Sequence, residues 1–525
     1  MKLLINKVRL RTHFMQANFL WKKTAELMEG SLFFRGLTAM LNFFAKLMAN
    51  SFVGRAFVGD ESHLDNSIGR SFFAVLADKL LNGFTKPITT PVAWPGVLSR
   101  LATGSQFIGG TLDNLGATIP PAGEKVGIKP IFQWAFFALP VVGMALVAFA
   151  TPFLPTMILA GLLLPVLLFT FLSRKFVIDG TAVFLLSFIV ISGVAALLSL
   201  APRSSIEIAI LTSVFMFSTL VVVACAVTKK AVDFFIKIFV LSAAFAGLVG
   251  FYQVIAGFRG DGWLDQTLFG ADSRIVSTFG NPNVYGTYLL LAIPLAAACV
   301  AYFKSKFTKL IAVGITGLLV INLALTLSRG CYLSLALSVA VFVLIIEKRL
   351  IVLFIPAVLA LPLVLPANIL ARLLSILNFE DTSTAFRLNI WRGSIRIIQD
   401  FWMGGVGQGI EAYNAVYPFY SLAAIYSPHS HSLYIQYLVE VGLFGFLIFI
   451  VMLACFFRTM ANFLRRTKDF GQRIMAAAMV AAVIGFLFQG VTDFVFYNYR
   501  VLLAFYIFIG ICIAFARVHS KVEKA

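Results

Sequence analysis

VYGTYLLLAIPLAAACVAYFKSKFTKLIAVGITGLLVINLALTLSRGCYLSLALSVAVFVLII, residues 284–346, decides the fold. It holds three apolar runs, 284–303, 308–327 and 331–346. Each is close to the roughly 20 residues that a helix needs to cross the hydrocarbon core of a bilayer. A connector bearing Lys304, Lys306 and Lys309 separates the first two, and a turn with a single charge, Arg329, separates the next two. Nine further runs of this kind lie outside the stretch, at about 131–150, 153–172, 176–200, 206–227, 234–256, 350–367, 431–457, 474–494 and 500–516. Pro152 and Pro155 leave one kinked unit as the alternative for the first two. The 525 residues are 60% hydrophobic and 12% charged, which excludes a soluble domain. The reading is an all-α integral membrane protein of about 12 transmembrane helices, with a large polar loop, 368–430, between helices 9 and 10.

Alternating connectors differ in charge. Those on the side of residues 1–130 carry 18 cations, and those on the opposite side carry nine: Arg203, Arg259, Arg274, Arg329, Arg372, Arg387, Arg392, Arg396 and Arg500. By the positive-inside rule both termini are cytoplasmic and the large loop is extracytoplasmic. The net charge of +19 is then explained by basic cytoplasmic edges facing anionic lipid, with no nucleic acid required. All nine outward cations are arginine, whose planar fork matches phosphate and carboxylate better than a lysine point charge does.

Residues 1–130 form a basic cytoplasmic or interfacial region, with 15 cations against eight acids. Within it SLFFRGLTAMLNFFAKLM, 31–48, is broken by Arg35 and Lys46 and suits a helix lying in the membrane interface. The Gly-, Pro-, Thr- and Ser-rich stretch 82–130 reads as a linker, and no cleavable signal pattern is present. The region is expected to anchor at the membrane surface or to dock assembly partners. Residues 131–517 form the membrane domain and 518–525 a basic cytoplasmic tail. All five cysteines fall in or at the edge of apolar helices, so no disulfide is expected. With no CxxC, HExxH or carboxylate cluster, neither a metal nor a cofactor is expected. The run GGVGQG, 404–409, follows an amphipathic helix rather than a strand, which excludes a dinucleotide loop.

Four blocks carry candidate chemistry, all on the outward side. GADSRIVSTFGNPNVYGTYLLL, 270–291, sets Arg274 just ahead of Asn281 and Pro282, a turn or helix start. Read alone, an arginine at the position of Arg274 is more often one anchoring the helix at the surface. TLSRGCYLSLALS, 326–338, holds Arg329 in a tight turn at the membrane mouth. In RLNIWRGSIRIIQDFWMGGVGQG, 387–409, apolar residues recur at Leu388, Trp391, Ile395, Ile398 and Trp402, which predicts a surface helix. Arg392 and Arg396 share one face of it, with Arg387 about 140° away from Arg392 on an ideal helix. SPHSHSLYIQYLVEVGLFG, 427–445, places His429 and His431 at the start of a span. A histidine there is either a cap or a general base, the role an imidazole serves near neutral pH. Glu440 lies about 13 Å deeper than His431 and about 180° around an ideal helix. It reads as a structural partner for another helix, like Gln489 and Asp493, with a proton relay as the alternative.

These blocks resemble the O-antigen ligase and O-antigen polymerase superfamily of bacterial envelope glycosyltransferases. The resemblance rests on Arg274 with Phe279, Gly280, Asn281, Pro282 and Asn283, and on Ser328-Arg329-Gly330. It continues through Arg387 and Trp391, then Gly405, Val406, Gly407 and Gly409. It ends on His429, His431, Leu433, Glu440, Gly442, Leu443 and Gly445. Two positions depart from the pattern: Ser432 replaces an asparagine after the second histidine, and Asp400-Phe401-Trp402-Met403 precedes the glycine run where a proline is usual. The resemblance implies a GT-C-like, metal-independent, inverting glycosyltransferase of lipopolysaccharide or exopolysaccharide assembly in the cytoplasmic (inner) membrane, its active site facing outward. The donor would be an undecaprenyl-pyrophosphate-linked glycan and the acceptor a glycan or lipid. Arg274 and Arg329 would bind the pyrophosphate and His431 would act as base. Arg387, Arg392, Arg396, His429 and Asn283 are further substrate-binding candidates, and Glu440, Gly405, Gly407 and Gly409 are structural ones. A flippase or other transporter, and a non-catalytic envelope assembly protein, are the competing classes. A transporter predicts charged or broken helices at the bilayer midplane, whereas here the polar residues gather outside.

Overall fold

The computed structural model describes residues 179–257, 274–350, 382–422 and 426–522, with isolated positions 158, 161, 163 and 164 before them. These belong to one compact unit, Leu80–Glu347 with Phe354–Ala525. The exception is the 3₁₀ turn Lys348–Leu350, which is all that is described of a second unit. Eleven α-helices are described: α1 Gly180–Leu197, α2 Pro202–Cys225, α3 Lys229–Ile255, α4 Pro282–Tyr302, α5 Lys306–Leu325, α6 Arg329–Ile346, α7 Thr382–Phe401, α8 Ile410–Tyr420, α9 Leu433–Arg466, α10 Phe470–Thr492 and α11 Tyr499–Val522. Among the described residues there is no strand, and nine helices, α1–α6 and α9–α11, are long and apolar enough to cross a membrane. The protein is therefore a multi-pass membrane protein, all-helical over the described residues. The predicted runs 131–150, 153–172 and 350–367 lie outside the described residues, as do the region 1–130 and the front of the polar loop.

Short polar side chains start the spans where their exposed backbone N–H groups need acceptors. Asp179 accepts from Ala182 N at 2.9 Å at the head of α1, and Asp469 from Gln472 N at 2.7 Å at the head of α10. Asn281 accepts from Asn283 N at 2.8 Å with Pro282 in the first turn of α4, the helix start that the Asn-Pro pair predicted. The first residues of the predicted basic tail are helical, since α11 continues to Val522.

In lipid, helices associate through close packing and hydrogen bonds rather than hydrophobic transfer, which favours small residues at their contacts. Gly485 of α10 faces Ser334 and Ser338 of α6, and Gly510 of α11 faces the Thr219 carbonyl and Val222 of α2. Thr219 Oγ1 also donates to the Tyr506 carbonyl of α11 at 2.7 Å. α2, α4, α10 and α11 are the most buried spans, and α5 and α6 the least.

The surface helix of the loop is present as α7, but its buried face differs from the predicted stripe. Ile390, Ser394 and Ile397 face inward, with Ile390 and Ile397 packed with Tyr413 and Tyr417 of α8 and Val439 of α9. Leu388, Ile395 and Trp402 are exposed. Ile398 of the stripe packs against the same cluster, so the stripe lies beside the buried face and overlaps its edge. The inward side is narrower and includes Gly393 and Ser394, which admit the chain near Tyr420 and the Tyr413 hydroxyl.

Candidate active site

α9 is interrupted at Gly442, whose φ of 67° is non-helical. The interruption frees the carbonyls of Val439 and Glu440, which in an unbroken helix would accept from the fourth residue on. The glycine run docks there instead. Val406 N donates to the Val439 carbonyl at 2.8 Å, Gly407 N to the Glu440 carbonyl at 3.1 Å, and Leu443 N to the Trp402 carbonyl at 2.7 Å. A Cβ on Gly405 would lie 2.5 Å from the Glu440 carbonyl, and one on Gly407 would overlap Ser199 Oγ. From the other side, Ser199 Oγ donates to the Val406 carbonyl at 2.9 Å and Ser205 Oγ to the Gln408 carbonyl at 2.8 Å. The glycines are there for close backbone approach to a broken helix.

Glu440 extends this docking to the histidines. Its carboxylate accepts from Gly409 N at 3.2 Å and from Gln436 Nε2 at 3.0 Å, and Gln436 Oε1 accepts from Ser430 N at 2.7 Å. The partner of Glu440 is thus the loop and its own helix, not a second span as the sequence suggested. Gln489 does reach another span, accepting from Ser334 Oγ at 3.3 Å.

Ser430 is thereby pinned between the two histidines. His431 adopts a left-handed backbone, φ 52°, and its N–H donates to His429 Nδ1 at 3.2 Å. That bond assigns the neutral His429 proton to Nε2. The two imidazole rings lie 4.3 Å apart, and His429 stacks on Tyr497 at 4.9 Å. His431 Nδ1 lies 3.7 Å from Asp493 Oδ1, an ion-pair distance too long for a hydrogen bond. The arrangement turns Nδ1 towards the carboxylate and leaves Nε2 for another partner. Asp493, read from sequence as a helix-packing residue, therefore belongs with the histidines. Ser432, at the asparagine position of the superfamily pattern, is the α9 N-cap without a side-chain cap bond, so the acid orienting His431 comes from the end of α10.

Burial, with the neighbouring His431 charge, pushes the His429 imidazole down to about 4. Burial pushes the Asp493 carboxyl up, but His431, Arg387 and His429 outweigh it and hold it below its ordinary value. The unfolded chain takes up a proton on this histidine below about pH 6.5, while the fold resists it down to about 4. Stability contributed in full above pH 6.5 is therefore lost as the pH falls across that interval, by up to about 3 kcal/mol. Thermal midpoints in nanodiscs from pH 7.5 to 4.5 should fall for the wild type and flatten for His429→Gln. An unchanged slope in the variant would assign the effect elsewhere.

Arg274 is buried at 7% exposure. Its Nε donates to the Thr326 carbonyl at 2.7 Å and Nη2 to Asn283 Oδ1 at 2.9 Å. Asn283 is thus the partner that aims Arg274. Cys331 Sγ lies 3.7 Å from the Asn283 carbonyl, within electrostatic reach of both Arg274 and Asp493. Arg329 opens α6, and the next residue, Gly330, abuts Gln489 one turn before Asp493. Arg387 acts electrostatically on both His429 and Asp493, whereas Arg392 and Arg396 are exposed on another side of α7. Arg500, not singled out in the sequence, donates to the Thr278 carbonyl at 2.8 Å from the start of α11. One end of the bundle therefore gathers Arg274, Asn283, Arg329, Arg387, His429, His431 and Asp493, and leaves out Arg392 and Arg396.

Residues 312–450 match the family model described as O-antigen ligase. That stretch is similar to an O-antigen ligase domain. No curated protein matches the chain. The matched stretch spans about a quarter of the chain and contains Arg329, Arg387, the glycine run, both histidines and the Gly442 interruption. Arg274, Asn283 and Asp493 lie outside it and meet it in space. Such a domain marks a glycosyltransferase-like membrane enzyme of polysaccharide assembly acting on lipid-linked glycans. The sequence did signal Asp493, as a lone acid ending an otherwise uncharged span, a position that is costly unless it has a use.

Proposed function

We propose that the protein transfers a glycan from an undecaprenyl-pyrophosphate donor to a hydroxyl acceptor, at the outer face of the cytoplasmic membrane. The observation that carries this reading is the convergence of arginines and a His–Asp pair at one end of the bundle. The lysine-poor, arginine-bearing connectors lie at that same end, which by the positive-inside rule faces outward. A twelve-span, GT-C-like topology with both termini cytoplasmic fits the nine described spans with the three remaining apolar runs.

In this mechanism the acceptor hydroxyl gives its proton to His431 Nε2 as its oxygen bonds to the anomeric carbon. The bond from that carbon to the phosphate oxygen breaks, and its electron pair leaves with undecaprenyl pyrophosphate. Attack opposite the leaving group inverts the anomeric centre. Asp493 stabilises the imidazolium that forms. Arg274 and Arg329, with Arg387 nearby, stabilise the charge growing on the pyrophosphate, so that arginines serve where other transferases use a metal. Arg274 already has one edge fixed by Thr326 and Asn283, so little reorganisation is needed when the anion arrives.

The test is to incubate purified protein with undecaprenyl-pyrophosphate oligosaccharide from the native pathway and resolve the products on a gel. A ladder of increasing length would mean a polymerase, and a single shift that needs an added acceptor would mean a ligase. Neither product would remove the transferase reading and bring a transport assay forward. Arg274→Lys keeps the charge but loses the fork, and is expected to lower kcat/KM for the donor about 100-fold. A value near wild type would take the pyrophosphate away from Arg274.

A further inference from the structure

A cavity of about 230 Å³, lined by His429 and not by His431, opens between α2, the start of α8, α9 and the 3₁₀ turn Val495–Tyr497. Its polar lining includes Gln408, Glu411, His429, Gln436, Glu440 and Tyr497. Among the described residues no lysine or arginine lines it. Gln408 is 3% exposed, and its side-chain Oε1 has no hydrogen-bond partner among the described residues. A buried amide oxygen left in that state is costly unless something else satisfies it. The tautomer set by His431 N leaves His429 Nε2 as a proton donor, not a base. The walls are aromatic and apolar, with Phe494, Tyr497 and Ile208 among them.

We infer that this cavity is a binding subsite for one hydroxyl-rich sugar ring, uncharged or amine-bearing, at the end of the acceptor glycan. An anion is disfavoured, since it would meet two carboxylates and an amide oxygen with no cation beside them. A sugar hydroxyl can give its proton to Glu411 or Gln408 and accept one from His429 Nε2. The ring's C–H faces fit the aromatic walls, and the volume, below the range of drug-sized ligands, fits roughly a single sugar unit. The acceptor then approaches His431 past His429, and the donor past the arginines. The inference rests on the transferase reading for the word acceptor, but not for the binding of a sugar.

The probe is the soluble glycan released by mild acid from the host's own lipid-linked pool, which carries no pyrophosphate. Saturation-transfer NMR with the full-length protein in nanodiscs should show binding that inorganic pyrophosphate does not compete. Glu411→Gln, isosteric and at an exposed position, and Gln408→Met should each weaken it at least fivefold. In the transfer assay both variants should raise the acceptor KM about tenfold and leave the donor KM within twofold. Three outcomes overturn the subsite: no wild-type signal, competition by pyrophosphate, or an acceptor KM within twofold of wild type in the folded Glu411→Gln variant. If the glycan binds in a Gln408-dependent way but the wild type never turns over a lipid-linked donor, the transferase reading fails and the sugar site stands.

Discussion

His431→Asn is expected to lose turnover of the lipid-linked donor by about 10²- to 10⁴-fold, the range for removing a general base. Asparagine is the informative replacement because His431 sits at φ 52°, where a side chain other than glycine is strained and asparagine is better tolerated than most. An alanine there would mix backbone strain with lost chemistry. The side chain is only partly buried, and its one ion pair is with Asp493, so the fold has little to lose. Thermal midpoint and elution profile should match the wild type while product formation collapses. Retained activity in the asparagine variant would end the assignment of His431 as the base. A transporter or assembly protein, in contrast, would tolerate the change.

Gly442→Ala should do the reverse and remove the fold and the activity together. A Cβ at that position would overlap the Met403 carbonyl and lie 2.8 Å from Gly404 N, at a φ of 67° that alanine rarely adopts. Straightening α9 to relieve the clash would return the Val439 and Glu440 carbonyls to their own helix. The bonds from Val406 and Gly407 would then be lost. Clash, strain and two buried hydrogen bonds together amount to roughly 3–5 kcal/mol. Gly314→Ala on α5 is the matched control: nothing lies within 4 Å of its Cβ, and it should leave stability unchanged or slightly raised. The measurement is thermal midpoint with folded yield. Equal values for the two variants would mean that the glycine run does not depend on the interruption of α9.

Much of this was legible in the sequence because a bilayer imposes a length. Nine described spans fall where apolar runs of sufficient length occur, and Asn281-Pro282 opens α4 as its residue types require. The face of α7 was not legible, because hydrophobic period distinguishes sides only when one of them is polar. Leu388, Ile395 and Trp402 are larger than the inward Gly393 and Ser394 and so dominated the pattern. Asp493 was visible as an acid at the end of a span, but its pairing with His431 joins residues on two different helices. Spacing along one helix carries no such information. The same limit applies to Glu440: spacing along one helix could not show that Gly409, far upstream, supplies its partner.

The burial of α11 bears on how the protein is made. Among the described helices it is the last in chain order and the most enclosed, with 94% of its apolar window inside the bundle. The Thr219 hydroxyl of α2 waits for a carbonyl 287 residues further along the chain. Asp493 and Tyr497 immediately precede that helix. While the ribosome is still adding residues, the slot for α11 is open to lipid. The arginines, histidines and Asp493 are thus in the membrane before the helix that encloses their end of the bundle is complete.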